Sequence, residues 1–118
     1  MQPVPPGTSG GISEIGTIAG AIGALVVALS GYVWYSDLKT AIVVVVAGVA
    51  GSLGDSVLGA TVQVQYRCDI CGKQTERKVH CGRQTTQIAG LAWINNDVVN
   101  LVCSLVGALT AWALLLVL

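Results

Sequence analysis

Four side chains that could bind a metal ion lie close together in the middle of the chain. Cys68 and Cys71 are separated by two residues, His80 and Cys81 are adjacent, and a glycine follows each pair. Thiolates and imidazole nitrogens are the usual ligands of tetrahedral zinc, and glycine suits the tight turns at which backbone amides point at sulfur. The pattern predicts a structural zinc site formed by Cys68, Cys71, His80 and Cys81.

The second pair of ligands departs from the usual spacing of zinc sites, in which several residues separate the two ligands of a pair. Either His80 or Cys81 does not bind, or the site is completed across two chains. A redox pair of Cys68 and Cys71 is an alternative. Structural disulfides are a further alternative, although a reducing compartment disfavours them. Cys103 lies within an apolar segment and is expected only to pack.

Asp55 is an acid inside an otherwise apolar segment. A charge in such a segment costs several kcal/mol, so it tends to persist where it faces a protein interior or a wet cavity and has a function there. Small and polar residues recur around it at spacings of three and four, which places them on one helix face. These residues are Gly48, Ser52, Asp55, Ser56, Gly59 and Gln63. The pattern predicts a functional acid roughly 10 Å short of the inner end of its helix, at about 1.5 Å per residue.

Two further polar clusters could cooperate with Asp55. The loop PGTSGG precedes an apolar segment, and glycine-rich loops of this kind expose backbone N–H groups that bind phosphate. Four amide or acid side chains fall within residues 95–100, although one N-cap would suffice to start a helix there. Carboxylate and amide oxygens suit Mg²⁺. A phosphate loop and acids for magnesium are the components of a phosphoryl or nucleotidyl transfer.

The composition indicates that lipid surrounds these groups. The chain has 118 residues, of which 53% are hydrophobic and 10% charged, and this is atypical of a soluble domain. Spanning a bilayer takes about 20 apolar residues, and residues 15–36, 40–63 and 97–118 qualify. Helices of a soluble bundle would carry a polar face, which these segments lack. We predict an all-α membrane protein with three transmembrane helices, a Gly/Pro-rich loop (1–14) and a zinc-knuckle-like cysteine loop (64–96) between helices 2 and 3.

The distribution of basic residues predicts the orientation. Five of the six lysines and arginines lie between Arg67 and Arg83, and short loops rich in them remain on the inner side of the membrane. The cysteine loop and the N-terminus are therefore expected on the cytoplasmic side of a prokaryotic cell membrane or a plastid membrane. Basic residues beside a bilayer fit anionic lipid, so no nucleic-acid partner is expected. Because Lys39 is the first basic residue, we do not expect the first span to be a signal peptide.

Three strings resemble the integral membrane family that contains transmembrane protein 19 and the phytyl-phosphate kinase of photosynthetic organisms. They are VPPGTSGGIS, GSLGDSVLGATVQVQYRC, and WINNDVVN followed by an apolar span. The resemblance implies transfer of phosphate from CTP or ATP to a phytyl or polyprenyl monophosphate, with Mg²⁺ as catalytic cofactor. Some members carry the same cysteine insertion and others lack it, which suits a structural zinc. Ser9 replaces an asparagine common in the family's phosphate loop.

The matching positions give the candidate site residues. The catalytic candidates are Asp55, Ser56 and Asp97, and the phosphate- or nucleotide-binding candidates are Gly7, Thr8, Gly10, Gly11, Asn96 and Asn100. Family members are longer and carry further spans and a motif of the type DTxASEIG before the phosphate loop. We therefore expect a C-terminal half of such an enzyme, completed by an N-terminal half or by a second copy of the chain. A transporter-like pathway and a noncatalytic zinc-bearing membrane scaffold are the alternatives.

Overall fold

A computed structural model describes residues 11–118 as three long helices with a small β-rich insertion between the second and the third. The helices are α1 (Glu14–Tyr35), α2 (Leu38–Thr61) and α3 (Asn96–Val117). The strands are β1 (Gln65–Arg67), β2 (Gln74–Thr75), β3 (Val79–His80), β4 (Arg83–Gln84) and β5 (Thr86–Ala89). All three helices are long and apolar enough to cross a membrane, and the Cys/His cluster lies between α2 and α3. The predicted fold class is confirmed.

The chain divides into two compact units. The helical unit contains residues 12–55 and 101–118, and the knuckle unit contains residues 56–100. The knuckle unit therefore includes the last turns of α2 and the first turn of α3 as well as all five strands. Of the predicted phosphate loop, Gly7, Thr8 and Gly10 lie outside the described residues, and Gly11 is exposed in irregular backbone.

Glycines allow α2 to pack against both other helices of the helical unit. A Cβ at Gly48 would lie 2.8 Å from the Ala24 Cβ of α1, and one at Gly51 would lie 3.2 Å from the Cys103 carbonyl oxygen of α3. Small residues permit this close approach, which is how helices associate in lipid. The outer surfaces are apolar, since Trp34 is 83% exposed and Val117 is 84% exposed. Apolar exposure on this scale suits acyl chains and not water.

The turn between α1 and α2 is closed by Asp37, which caps α2. Its carboxylate accepts hydrogen bonds from the Thr40 N–H at 2.8 Å, the Thr40 hydroxyl at 2.8 Å and the Lys39 N–H at 3.3 Å. These bonds, the Thr40 amide first, lower the pKa of Asp37 below its ordinary value of 3.8.

Acidification should therefore weaken the start of α2. Because the pKa of Asp37 is lower in the folded chain, its contribution to stability is fully present above pH 3.8 and is lost as the pH falls through the folded pKa. The apparent unfolding temperature of the detergent-solubilised chain should fall more steeply below pH 3.8 than that of Asp37→Asn, whose cap does not titrate. Parallel acid profiles for the two proteins would contradict this role.

The knuckle unit contains two antiparallel sheets. Strand β1 lies between β2 and β5, with Tyr66 opposite Thr75 on one side and Gln87 on the other, and β3 pairs with β4 as a hairpin. Alternate residues of the β1 region point inward, so that Val64, Tyr66 and Cys68 are buried. The sheet thereby places the first cysteine at the edge of the small core.

Backbone hydrogen bonds join the two ends of the insertion. The Val64 N–H donates to the Ile94 carbonyl at 2.8 Å, and the Leu91 N–H donates to the Val62 carbonyl at 3.0 Å. Gly90 makes this crossing possible, because it has a φ of 74° and a Cβ there would lie 2.0 Å from the Gln63 carbonyl oxygen. The chain that leaves α2 and the chain that enters α3 are therefore fastened together.

Gly90→Ala should be strongly destabilising. A left-handed backbone costs an L-residue about 1–2 kcal/mol, and the clash with the Gln63 carbonyl adds to that cost because backbone must move. Gly72→Ala is the matched control, since Gly72 has a φ of 69° with open space around its Cβ position and carries the backbone cost alone. Chemical unfolding in detergent should show a clearly larger loss for Gly90→Ala. Equal losses would contradict the close crossing.

Candidate functional site

The four predicted zinc ligands meet in the knuckle unit. The Sγ atoms of Cys68, Cys71 and Cys81 and a ring nitrogen of His80 all lie within 4.8 Å of one another. His80 Nδ1 lies 3.5 Å from the Cys71 Sγ and 3.2 Å from the Cys81 Sγ. With bond lengths of about 2.0 Å to nitrogen and 2.3 Å to sulfur, a tetrahedral zinc site has an S···N edge of about 3.5 Å. The geometry of the group fits a tetrahedral metal ion.

The first pair of ligands lies in a tight turn between β1 and β2. The Gly72 N–H donates to the Cys68 carbonyl at 2.8 Å, and the Cys68 N–H donates to the Lys73 carbonyl at 2.9 Å. Gly72 has a φ of 69°, which glycine adopts without strain. These bonds fold the chain back after Cys71 and direct both sulfurs toward the same point.

A two-residue hairpin turn explains how adjacent residues both reach the site. His80 pairs with Arg83, so Cys81 and Gly82 form the whole turn between β3 and β4. Their φ angles of 50° and 74° are both positive, as in a type I′ turn. The reversal within this turn brings the Cys81 sulfur beside the His80 ring. The sequence carries no spacing rule for this arrangement, because the turn type and not the residue count creates it.

The backbone conformation of Cys81 is itself informative. Glycine, asparagine and aspartate are the usual residues of such a turn, and another L-residue there costs about 1–2 kcal/mol. A strained residue persists where the surroundings require it, and such residues concentrate at functional sites. The Cys81 thiol lies close to the other three side chains of the cluster. This contact explains why a cysteine occupies a turn position that glycine or asparagine would adopt with less strain.

The pKa values of Cys68 and Cys81 are shifted in opposite directions. The Cys71 backbone N–H and then the His80 side chain stabilise the Cys68 thiolate and lower its pKa to about 6. A hydrogen bond to Cys71, partial desolvation and the proximity of Cys68 raise the pKa of Cys81 to about 11. The cluster therefore carries negative charge more readily on Cys68 than on Cys81. Because a metal ion binds deprotonated thiols, its binding would release protons from the cluster.

Asp55 lies on α2 with its side chain exposed. Its Oδ1 accepts a hydrogen bond from the thiol of Cys103 on α3, over an S···O distance of 3.8 Å. Within residues 11–118, the Cys/His group is the one set of three or more potential ligand side chains close enough to share an ion. Mg²⁺ is commonly held by one or two carboxylates together with water and phosphate oxygens. Asp55 offers one exposed carboxylate of this kind.

The polar cluster at the start of α3 divides into a cap and an exposed set. The Asn95 side chain accepts a hydrogen bond from the Val98 N–H at 3.0 Å and is the N-cap. Asn96, Asp97 and Asn100 have exposed side chains. Asn96 and Asn100 are one helical turn apart and share a face. The cap therefore explains one of the four polar residues. Ser56 is half-buried and belongs to the same knuckle unit as Asn96, Asp97 and Asn100.

Comparison with known proteins identifies the family. The profile of the integral membrane protein family DUF92 matches residues 1–108. The chain belongs to the DUF92 family. The DUF92 chain is 33% identical over 109 residues to an uncharacterized membrane protein of Methanocaldococcus jannaschii. The aligned region covers 92% of the chain and 35% of that relative. The chain is also 32% identical over 114 residues to Protein PGR of Arabidopsis thaliana. This alignment covers 86% of the chain and 38% of that relative.

The chain thus spans little more than a third of the length of these relatives. No solved structure matches it. Family membership confirms the resemblance seen in the sequence motifs, and together with the three apolar helices it identifies an integral membrane protein surrounded by lipid.

Proposed function

We propose that this DUF92 chain forms part of a membrane-embedded prenyl-phosphate kinase, which transfers phosphate from CTP or ATP to a phytyl or polyprenyl monophosphate. The observation that carries the proposal is the Asp55 carboxylate, an acid within a helix long and apolar enough to span the membrane. Acids in such positions are expensive and are retained for function. The resemblance of the surrounding motif to the phytyl-phosphate kinase supplies the substrate class.

In this proposal the residues divide by task. Asp55 would be a ligand of the nucleotide-bound Mg²⁺, and Ser56 and Asp97 complete the catalytic set. When bound, Mg²⁺ would neutralise the nucleotide phosphates. Asn96 and Asn100 donate to the nucleotide from the start of α3. The backbone of the glycine-rich loop holds phosphate through Gly7, Thr8, Gly10 and Gly11.

The Cys/His group would hold a structural zinc ion that shapes the knuckle unit. That unit contains Ser56, Asn96, Asp97 and Asn100, so its folding determines whether these residues keep their places. Structural zinc sites supply folding free energy directly, on the order of 10 kcal/mol in small domains. Zinc and phosphate transfer are therefore complementary parts of one proposal, in which the metal positions residues and takes no part in the chemistry.

The remaining parts of the proposal concern orientation and completion. We propose that the knuckle unit and the N-terminus face the cytoplasm, where nucleotides are available, because five basic residues lie between Arg67 and Arg83. Because the chain covers 35% and 38% of its relatives, we propose that other membrane segments or a second copy contribute the rest of the active site.

A transfer assay tests this function. The chain would be reconstituted in lipid nanodiscs, alone and together with the product of any coding sequence upstream of it, and incubated with Mg²⁺, γ-labelled CTP or ATP and phytyl or geranylgeranyl monophosphate. We expect labelled prenyl diphosphate, which requires both the metal and the lipid phosphate. A zinc-loaded, folded protein that gives no labelled product in either arrangement would overturn the kinase and favour the scaffold, a reading that the Cys/His geometry alone would support.

A further inference from the structure

Cys103 links α3 to Asp55 through a hydrogen bond. Its thiol donates to Asp55 Oδ1 at an S···O distance of 3.8 Å. Its side chain is only 8% exposed, although most side chains of α3 are exposed. The sequence offers no sign of this pairing, since the two residues are 48 positions apart. A cysteine in an apolar helix is ordinarily a small packing residue.

The glycines of α2 allow such a short side chain to reach the acid. A Cβ at Gly51 would lie 3.2 Å from the Cys103 carbonyl oxygen, and one at Gly54 would lie 4.0 Å from the Cys103 Sγ. Gly51 lies one helical turn before Asp55, and Gly54 lies directly before it. A side chain at Gly51 would crowd the backbone of α3 at Cys103, whereas a Cβ at Gly54 would make ordinary contacts with Val106 and Cys103. The two glycines and the cysteine therefore form one arrangement around the carboxylate.

We infer that Cys103 is a positioning residue for Asp55, whose thiol fixes the direction in which the carboxylate points. The hydrogen bond itself stands on the geometry, and its importance for catalysis rests on the proposed function. An acid on an exposed helix face has several rotamers available, and a hydrogen bond in a low-dielectric setting selects among them. Misplacing a reacting group or its anchor by about 1 Å can cost a hundredfold in rate.

An infrared measurement tests the hydrogen bond without any assay of activity. The S–H stretching band of Cys103 is isolated by subtracting the spectrum of Cys103→Ser from that of the parent protein in nanodiscs. Hydrogen bonding lowers the frequency of this band, so we expect it to rise when Asp55 is replaced by alanine. A band at the same frequency in the parent and in Asp55→Ala would overturn the inference, whatever the activity of the protein.

Substitutions at Cys103 then separate positioning from packing. Cys103→Ser keeps a donor of similar size, whereas Cys103→Ala removes the donor, and Val106→Ala trims the neighbouring contact with Gly54 and leaves the thiol in place. We expect Cys103→Ala to raise the Mg²⁺ concentration needed for half-maximal transfer roughly tenfold, which corresponds to the loss of one hydrogen bond to a charged group. Cys103→Ser should bring this concentration most of the way back to that of the parent protein. Equal effects of Cys103→Ala and Val106→Ala, without rescue by serine, would show that Cys103 only packs. If no transfer occurs in the parent protein, the proposed function fails while the infrared result still decides the hydrogen bond.

Discussion

Cys81→Asn should greatly weaken zinc binding, although asparagine suits the backbone at this position better than cysteine does. With a φ of 50° in a two-residue hairpin turn, position 81 is a place where asparagine is favoured. If Cys81 served only the turn, the substitution would stabilise the knuckle unit. Because its sulfur lies 3.2 Å from the His80 ring nitrogen and belongs to a four-ligand group, we expect the opposite.

Metal analysis and unfolding measure this effect. The parent chain should bind stoichiometric zinc, and Cys81→Asn should lower the affinity by more than about a hundredfold, since even the loss of an outer partner costs up to that factor. Heating should then melt the knuckle unit first, because the metal contributes folding free energy. Cys103→Ala is the matched control, since it removes a thiol outside the cluster and should leave the zinc content unchanged. Full zinc occupancy in Cys81→Asn would show that Cys81 is not a ligand.

Asp55→Asn should abolish phosphate transfer and leave the fold intact. Asparagine has the shape of aspartate but no charge, so it can still accept a hydrogen bond from Cys103 while losing most of its attraction for a divalent cation. Removing one charge that orients the nucleotide commonly lowers kcat by about a hundredfold or more. The rate of labelled diphosphate formation measures the effect at saturating Mg²⁺.

Asp37→Asn is the control for this substitution. Asp37 caps the opposite end of α2 and its replacement by asparagine removes the same charge while keeping the cap. Transfer by Asp37→Asn should match that of the parent chain at neutral pH. Undiminished transfer by Asp55→Asn, in protein whose zinc content is normal, would remove Asp55 from the active site.

The helices were predictable from sequence because lipid imposes a simple rule. About 20 apolar residues are needed to cross it, and three segments meet that length with few charges. The strands of the knuckle unit were not predictable, because each has only two to four residues, too few for a detectable alternation of apolar and polar side chains. Their pairing depends on Gly90 and on backbone hydrogen bonds between residues far apart in the chain.

The candidate site was predictable in part for a related physical reason. The candidate metal ligands can be recognised by residue type, since three cysteines and a histidine within fourteen positions (68–81) are typical of metal sites. The way in which His80 and Cys81 both reach the centre depends on positive φ angles that residue names do not reveal. The partner of Asp55 was expected only to pack, because contacts between helices depend on the glycines that bring α2 and α3 together.

The proposed kinase function requires Asp55 to be a ligand of a nucleotide-bound divalent cation. Mn²⁺ can replace Mg²⁺ as a spectroscopic probe, and electron paramagnetic resonance of the reconstituted protein with CTP or ATP reports both the affinity of the ion and its coupling to ³¹P. We predict a bound Mn²⁺ coupled to phosphorus, with an affinity at least about tenfold weaker in Asp55→Asn, as expected for the loss of a charged ligand. The same affinity and the same coupling in both proteins would contradict the account.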